Sequence, residues 1–156
     1  MRRLDVAKLD FPVLRRAEEF ERGTVPADIR AAQDAIRWAD HVVLFFPLWL
    51  GTMPALLKAF LEQVFRPGFA MDATSKLPRG LLRGRDARIV VTMGMPGVMY
   101  RLLFRAHGLR GLERSILGFA GIQPIRHSLV GMVGAPGKHH IERWLGRMEA
   151  LGRKAA

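Results

Sequence analysis

"FFPLWLGTMPALLKAFLEQVFRPGFA", Phe45–Ala70, decides how the rest of the chain is read. An apolar run ends at Pro47 and an aromatic and glycine turn follows. From Pro54, Leu57, Phe60, Leu61 and Val64 recur at helical spacing until Pro67 and Gly68 stop them. With His41–Leu44 in front, residues 41–46 make a β-branched and aromatic run without polar alternation, expected of a strand covered on both faces in a parallel sheet. The unit is therefore strand, loop, helix. A membrane span is excluded. Val42–Leu57 holds sixteen residues without a charge, against the roughly 20 a span needs, and Pro47, Gly51 and Pro54 interrupt it.

Outward from this unit the alternation continues. "RIVVTM", residues 88–93, predicts a second buried strand, and the loop "GMPG" follows it. Leu112, Ser115, Ile116 and Phe119 fall at i, i+3, i+4 and i+7, a helix that Gly121 is placed to end. "IQPIRHSLVGMV" contains a further strand, and Ile141, Trp144, Leu145, Met148 and Leu151 line one face of a last helix. Upstream, Thr24 and Pro26 open a helix with Ile29, Ala32 and Ile36 on one side. "RRAEEFERG" reads as irregular, Leu4–Val6 as one short strand, and residues 70–87 as a long surface connection. Strands alternating with helices indicate an α/β fold with a mainly parallel sheet, a single domain over residues 1–156. Ligands of such sheets bind beyond the carboxyl ends of the strands, which selects the loops after Phe46 and Met93.

Composition removes several chemistries. A chain of 156 residues can bury about two-thirds of its unfolded surface in one core. It has no cysteine, so disulfides, thiolate catalysis and cysteine-held metals are absent. The amino terminus carries no apolar stretch of signal-peptide length, and a cytoplasmic location is expected. A formal charge of +11 comes from scattered arginines. Aromatics do not interleave with them as stacking on bases requires, so no specific nucleic-acid partner is expected. "GMVGAPGKHH" lacks the glycine and hydroxyl of a phosphate loop and reads as a strand-to-helix turn. No G-x-G-x-x-G or G-x-S-x-G occurs, and His139 and His140 lack the spacing of a metal site, so no metal is expected.

Two loops remain. "PLWLGTMP" sets Trp49 in a turn with Gly51, placing main-chain N–H groups at the sheet's end. "TMGMPGVMY" combines Gly94 and Gly97, which allow close approach of the backbone, with the only tyrosine, Tyr100. A flat heteroaromatic ring held between apolar walls by main-chain hydrogen bonds suits both; ordinary loop packing is the alternative.

"ADHVVLFFPLWLGTMPALLKAFLEQVFRPGFA" resembles the flavin-contacting strand, loop and helix of the NAD(P)H:quinone oxidoreductases with a flavodoxin-like fold, a family that includes the ancillary oxidoreductases of bacterial potassium-efflux systems. "TMGMPGVMY" is similar to that family's second flavin loop, and "LGFAGIQPIRHSLVGMV" to its passage into the last strand. The resemblance implies a flavodoxin-like three-layer sandwich that binds FAD or FMN, takes hydride from NAD(P)H and reduces a quinone. It also implies a homodimer and a possible partner in a potassium-efflux system.

Carried over by position, Pro47, Leu48, Trp49 and Leu50 would line the ring's edge, and Thr92, Gly94 and Gly97 would offer main-chain contacts. Tyr100 would stand beside the flavin, contacting it and acting in catalysis with His107. In the residues themselves His107 is open to a second role, as a surface or helix-capping side chain. The family's central strand, the first in its 2-1-3-4-5 sheet, and the phosphate-binding loop after it have no counterpart ahead of Leu4. A shortened, non-catalytic binding or regulatory homologue that holds flavin weakly or not at all is therefore the alternative function.

Overall fold

β-Branched and aromatic residues at 41–47 form a strand, and the rest of the architecture is arranged around it. A computed structural model describes residues 1–72, 79–134 and 138–154, with the backbone alone for 138–140. A short 3-10 helix, Val6–Lys8, precedes α1 (Ala17–Arg22), α2 (Ala27–Trp38), β1 (His41–Pro47) and α3 (Ala55–Val64). Then come β2 (Met71–Asp72), β3 (Arg79–Gly80), β4 (Asp86–Thr92), α4 (Gly97–Leu103), α5 (His107–Gly111), a π-helical stretch Leu112–Gly118, β5 (Ile125–Val130) and α6 (Lys138–Arg153). β1, β4 and β5 form a parallel sheet in that order, as the alternating pattern predicts. Val43 lies opposite Arg88, and Arg88 opposite Arg126. β2 and β3 pair antiparallel within what reads as a surface connection.

One face of the sheet is closed. Val42, Leu44 and Phe46 of β1 and Ala87, Ile89 and Val91 of β4 join Ile29, Ala32, Leu57, Phe60, Leu61 and Val64 of α2 and α3 in one core. The two helices are tied by the Gln33 Nε2 donor to the Val64 carbonyl at 2.9 Å. Arg66, just past α3, gathers the amino-terminal segment. Its Nη1 donates to the Gly23 carbonyl at 2.7 Å, its Nη2 to Gln63, and Gln63 Nε2 donates to the Pro12 carbonyl at 2.7 Å.

The other face differs from expectation. Val90, Val130 and Ser128 are buried there, yet Val43 and Phe45 are 54% and 67% exposed, so β1 is not covered on both sides. β1 is also an edge of the sheet. Leu48 N–H reaches the Thr92 carbonyl at 2.7 Å and Asp86 N–H the Asp40 carbonyl at 3.0 Å. Even-numbered residues thus direct their main chain at β4, while Val43 and Phe45 direct theirs away, where no described strand pairs. Polar side chains fasten the sheet's opposite end. Asp86 contacts His41 Nδ1 and accepts from Arg126 Nη1 at 3.1 Å. Burial acts to raise the Asp86 carboxyl, but its bonds and charge interactions with His41 and Arg126 hold it below the usual range.

Three local expectations change. Leu4–Val6 is not a strand, because a turn from Asp5 to Lys8 (N–H to carbonyl, 2.9 Å) leads instead into the 3-10 helix. "RRAEEFERG" is partly helical. Glu18 and Glu19 sit in the first turn of α1, where the helix dipole favours them, and the Glu19 carboxylate accepts from Arg15 N–H at 2.8 Å. Beyond α5 the chain winds more widely than α-helical spacing assumes. Bonds such as Phe119 N–H to the Arg114 carbonyl, 3.1 Å, and Ile122 N–H to the Leu117 carbonyl, 3.0 Å, span five residues. The buried side chains are consequently Leu112, Leu117 and Ile122, while Ser115 and Phe119 turn outward.

Candidate functional site

Beyond the carboxyl end of β1 the chain makes a two-residue hairpin. Trp49 and Thr52 exchange main-chain bonds at 2.9 and 3.0 Å, and the residues between them, Leu50 and Gly51, have φ of 48° and 81°. That is the turn whose central positions both need positive φ. Gly51 adopts it freely; Leu50 adopts it at a cost of roughly 1–2 kcal/mol. A strained leucine held fully exposed at a hairpin tip marks a place where packing elsewhere over-determines the backbone. The N–H groups of Trp49 and Thr52 each donate to the other residue's carbonyl, so the turn offers fewer outward donors than the sequence suggests.

Tyr100 supplies the fastening. Its ring is 1% exposed, its hydroxyl donates to the Gly51 carbonyl at 3.2 Å, and Leu109 N–H donates to that hydroxyl at 3.2 Å. Burial raises the phenol's pKa above its ordinary value; the hydrogen bond from Leu109 only partly opposes this. The group stays a neutral donor at physiological pH. Gly108 allows the closest approach. A Cβ there would lie 2.6 Å from the Gly51 carbonyl oxygen and 2.7 Å from Thr52 Cα. The hairpin, α4 and α5 are therefore locked together at the sheet's end.

Against this assembly lies a cavity of about 900 Å³. Trp49, Leu50 and Thr52 of the hairpin, Leu61 and Phe65, and His107 and Phe119 are among its lining residues. Lys58 and Glu62, paired with each other on α3, bring charge to an otherwise apolar lining. The size and composition suit a flat organic molecule.

Residues 1–151 match the family described by a flavodoxin-like fold. The chain belongs to that family. Among relatives of this flavodoxin-like chain, human ribosyldihydronicotinamide dehydrogenase (quinone) is 36% identical over 117 residues, 75% of this chain and 47% of that protein. The FMN-dependent NADH:quinone oxidoreductase 1 of Jannaschia sp. is 31% identical over 112 residues, 64% of this chain and 56% of the relative. The chain thus spans about half the length of the curated relatives it matches. The structure of an NAD(P)H:quinone oxidoreductase from Methanothermobacter marburgensis superposes with a TM-score of 0.81, covering 97% of this chain and 80% of that one. At 20% identity this supports the fold.

Within the flavodoxin-like frame the predicted residues divide. Pro47 and Thr92 are register partners at the ends of β1 and β4, and Leu48 packs on the core. Trp49, Leu50 and His107 meet at the cavity. Gly94 is exposed with open space where a Cβ would stand, and Gly97 opens α4; neither lines the cavity. Tyr100 lies behind the hairpin, outside the cavity lining. The sequence reading missed Thr52, Lys58, Phe20 and Phe119 as cavity residues. Phe20 falls in the segment read as irregular. Phe119 was assigned to a helix face that the π-helical winding rotates outward.

An isoalloxazine ring is tested by the cavity lining, whose apolar wall at Trp49 and Leu50 fits the flat part of a flavin; the open space at Gly94 lies outside that lining.

Proposed function

We propose that this flavodoxin-like chain works in the cytoplasm as a flavin-dependent NAD(P)H:quinone oxidoreductase, using FMN or FAD and reducing a quinone or similar aromatic acceptor. The observation that carries the reading is the hairpin Trp49–Thr52, held by the Tyr100 hydroxyl and Gly108 at the rim of an apolar cavity of about 900 Å³. Homodimerisation and association with a potassium-efflux system belong to the same reading.

A bound flavin supplies two-electron hydride chemistry between NAD(P)H and the acceptor. The chain's residues position and shield it. Pro47, Leu48, Trp49 and Leu50 would hold the apolar edge of the ring, and Thr92, Gly94 and Gly97 would offer it main-chain contacts. Tyr100, neutral and buried, holds the hairpin in register. His107, exposed at the cavity wall, takes up or releases the proton that accompanies reduction. Apolar walls exclude water from the reacting face.

Titrating the purified full chain with FMN and with FAD, following quenching of flavin fluorescence, tests the binding step. Saturable quenching that Trp49→Ala weakens several-fold is expected, together with NAD(P)H-dependent reduction of a soluble quinone. No quenching by either flavin would overturn the reading. A non-catalytic binding role draws on one observation, that the Tyr100 hydroxyl is already satisfied by Gly51 and Leu109. Weak or absent flavin binding together with no quinone reduction would favour it.

A further inference from the structure

Residues 13–22 form a strap that no core holds. None of them is buried, and Arg15, Arg16, Glu18, Glu21 and Arg22 are exposed. Its two ends are fixed instead by one buried pair, Gln63 and Arg66, 0% and 5% exposed. Gln63 Nε2 donates to the Pro12 carbonyl and Arg66 Nη1 to the Gly23 carbonyl, each at 2.7 Å, and Arg66 Nη2 donates to Gln63. Breaking either tie leaves a buried donor unmatched, so opening is cheaper in the middle of the strap than at its ends.

Phe20 is the strap's one aromatic. On either side Phe11 and Val25 pack on the core, and Phe20 does not. It lines the cavity instead, and among the described residues it is the only part of that lining ahead of β1. We propose that Phe20 is a specificity-determining residue, an aromatic wall for a planar fused-ring quinone, carried on a strap that moves against the cavity while Gln63 and Arg66 hold its ends. An aromatic wall gives a flat ring both buried area and a preferred packing geometry. A fused-ring quinone extends far enough to use it; a single-ring quinone fills less of a cavity of about 900 Å³ and gains less. The proposal rests on the reading of this cavity as the acceptor's site.

The test uses the full chain with FMN or FAD and NAD(P)H, and compares 1,4-naphthoquinone with 1,4-benzoquinone. Phe20→Ala should raise the naphthoquinone KM by about fivefold or more, with kcat, the benzoquinone KM and flavin affinity each within about twofold. Phe20→Trp should keep the low KM and Phe20→Leu should not. Val13→Ser, at an exposed position of the strap, should leave every value unchanged. Trypsin cleavage after Arg15, Arg16 or Arg22, followed by mass spectrometry, reads the strap directly. Naphthoquinone alone should slow it by about threefold in the native chain and leave it unaltered in Phe20→Ala. With no cysteine in the chain, thiol adducts cannot mimic this protection. The cleavage measurement needs neither flavin nor reductant, so it decides the proposal even where flavin binding, and with it the oxidoreductase reading, fails. An unchanged naphthoquinone KM in Phe20→Ala, an equal rise for benzoquinone, or cleavage indifferent to naphthoquinone would overturn the proposal.

Discussion

The two faces of the β1–β4–β5 sheet are built from the same strands and have opposite fates. On one, Val42, Leu44, Phe46, Ile89 and Val91 pack against α2 and α3. On the other, Val43 and Phe45 lie open while neighbouring Val90 is buried. Alternation along a strand decides which residues share a face; only the neighbouring layers decide whether that face is dry. The closed face therefore carries stability, and the open face, with the loops at the strand ends, carries surface available for other molecules.

Substitutions can break or sharpen this contrast. The largest effect belongs to the closed face. Ile89→Ala, at a site with no exposure, should lower unfolding free energy in urea by about 2–5 kcal/mol. Next is Gly108→Ala, whose Cβ would collide with main chain at Gly51 and Thr52; a loss of about 1–3 kcal/mol is expected, with flavin affinity falling alongside.

Tyr100→Phe should cost about 1 kcal/mol through its lost hydrogen bonds and loosen the hairpin, read as faster amide exchange at residues 49–52. The tyrosine also gives a pH signature. Its folded pKa is raised, so the stability it contributes is complete below the ordinary value of 10.0 and is lost as pH rises through the raised one. As the only tyrosine, its phenolate absorbance should emerge above that ordinary value.

Leu50→Gly relieves a left-handed leucine and should raise stability by up to about 1 kcal/mol while weakening flavin binding. Phe45→Thr on the open face should change stability by no more than about 0.5 kcal/mol. A loss comparable to that of Ile89→Ala would show that this face is covered in solution and end the contrast.

Much of this was legible beforehand. Pro54 before Leu57, Phe60, Leu61 and Val64 announces α3, and the runs at 41–46 and 88–93 announce β1 and β4, because periodicity and proline act locally. The loops at Trp49 and Gly94 follow from the rule that parallel strands present ligand sites at their carboxyl ends. Less was legible where contacts are distant. Nothing local reveals that Tyr100 reaches back 49 residues to the Gly51 carbonyl, nor that five-residue bonds after Leu112 exchange Leu117 for Phe119 in the core.

The sequence alone determined an α/β chain of parallel strands, with Pro47–Leu50 and Thr92–Tyr100 at the end where ligands bind, because strand and helix periods are written in neighbouring residues. Tertiary structure decided which of those residues face a cavity, which are locked behind it, and which face of β1 stays wet. Those outcomes depend on elements far apart in the chain approaching within a few ångströms, and on the volume left between them.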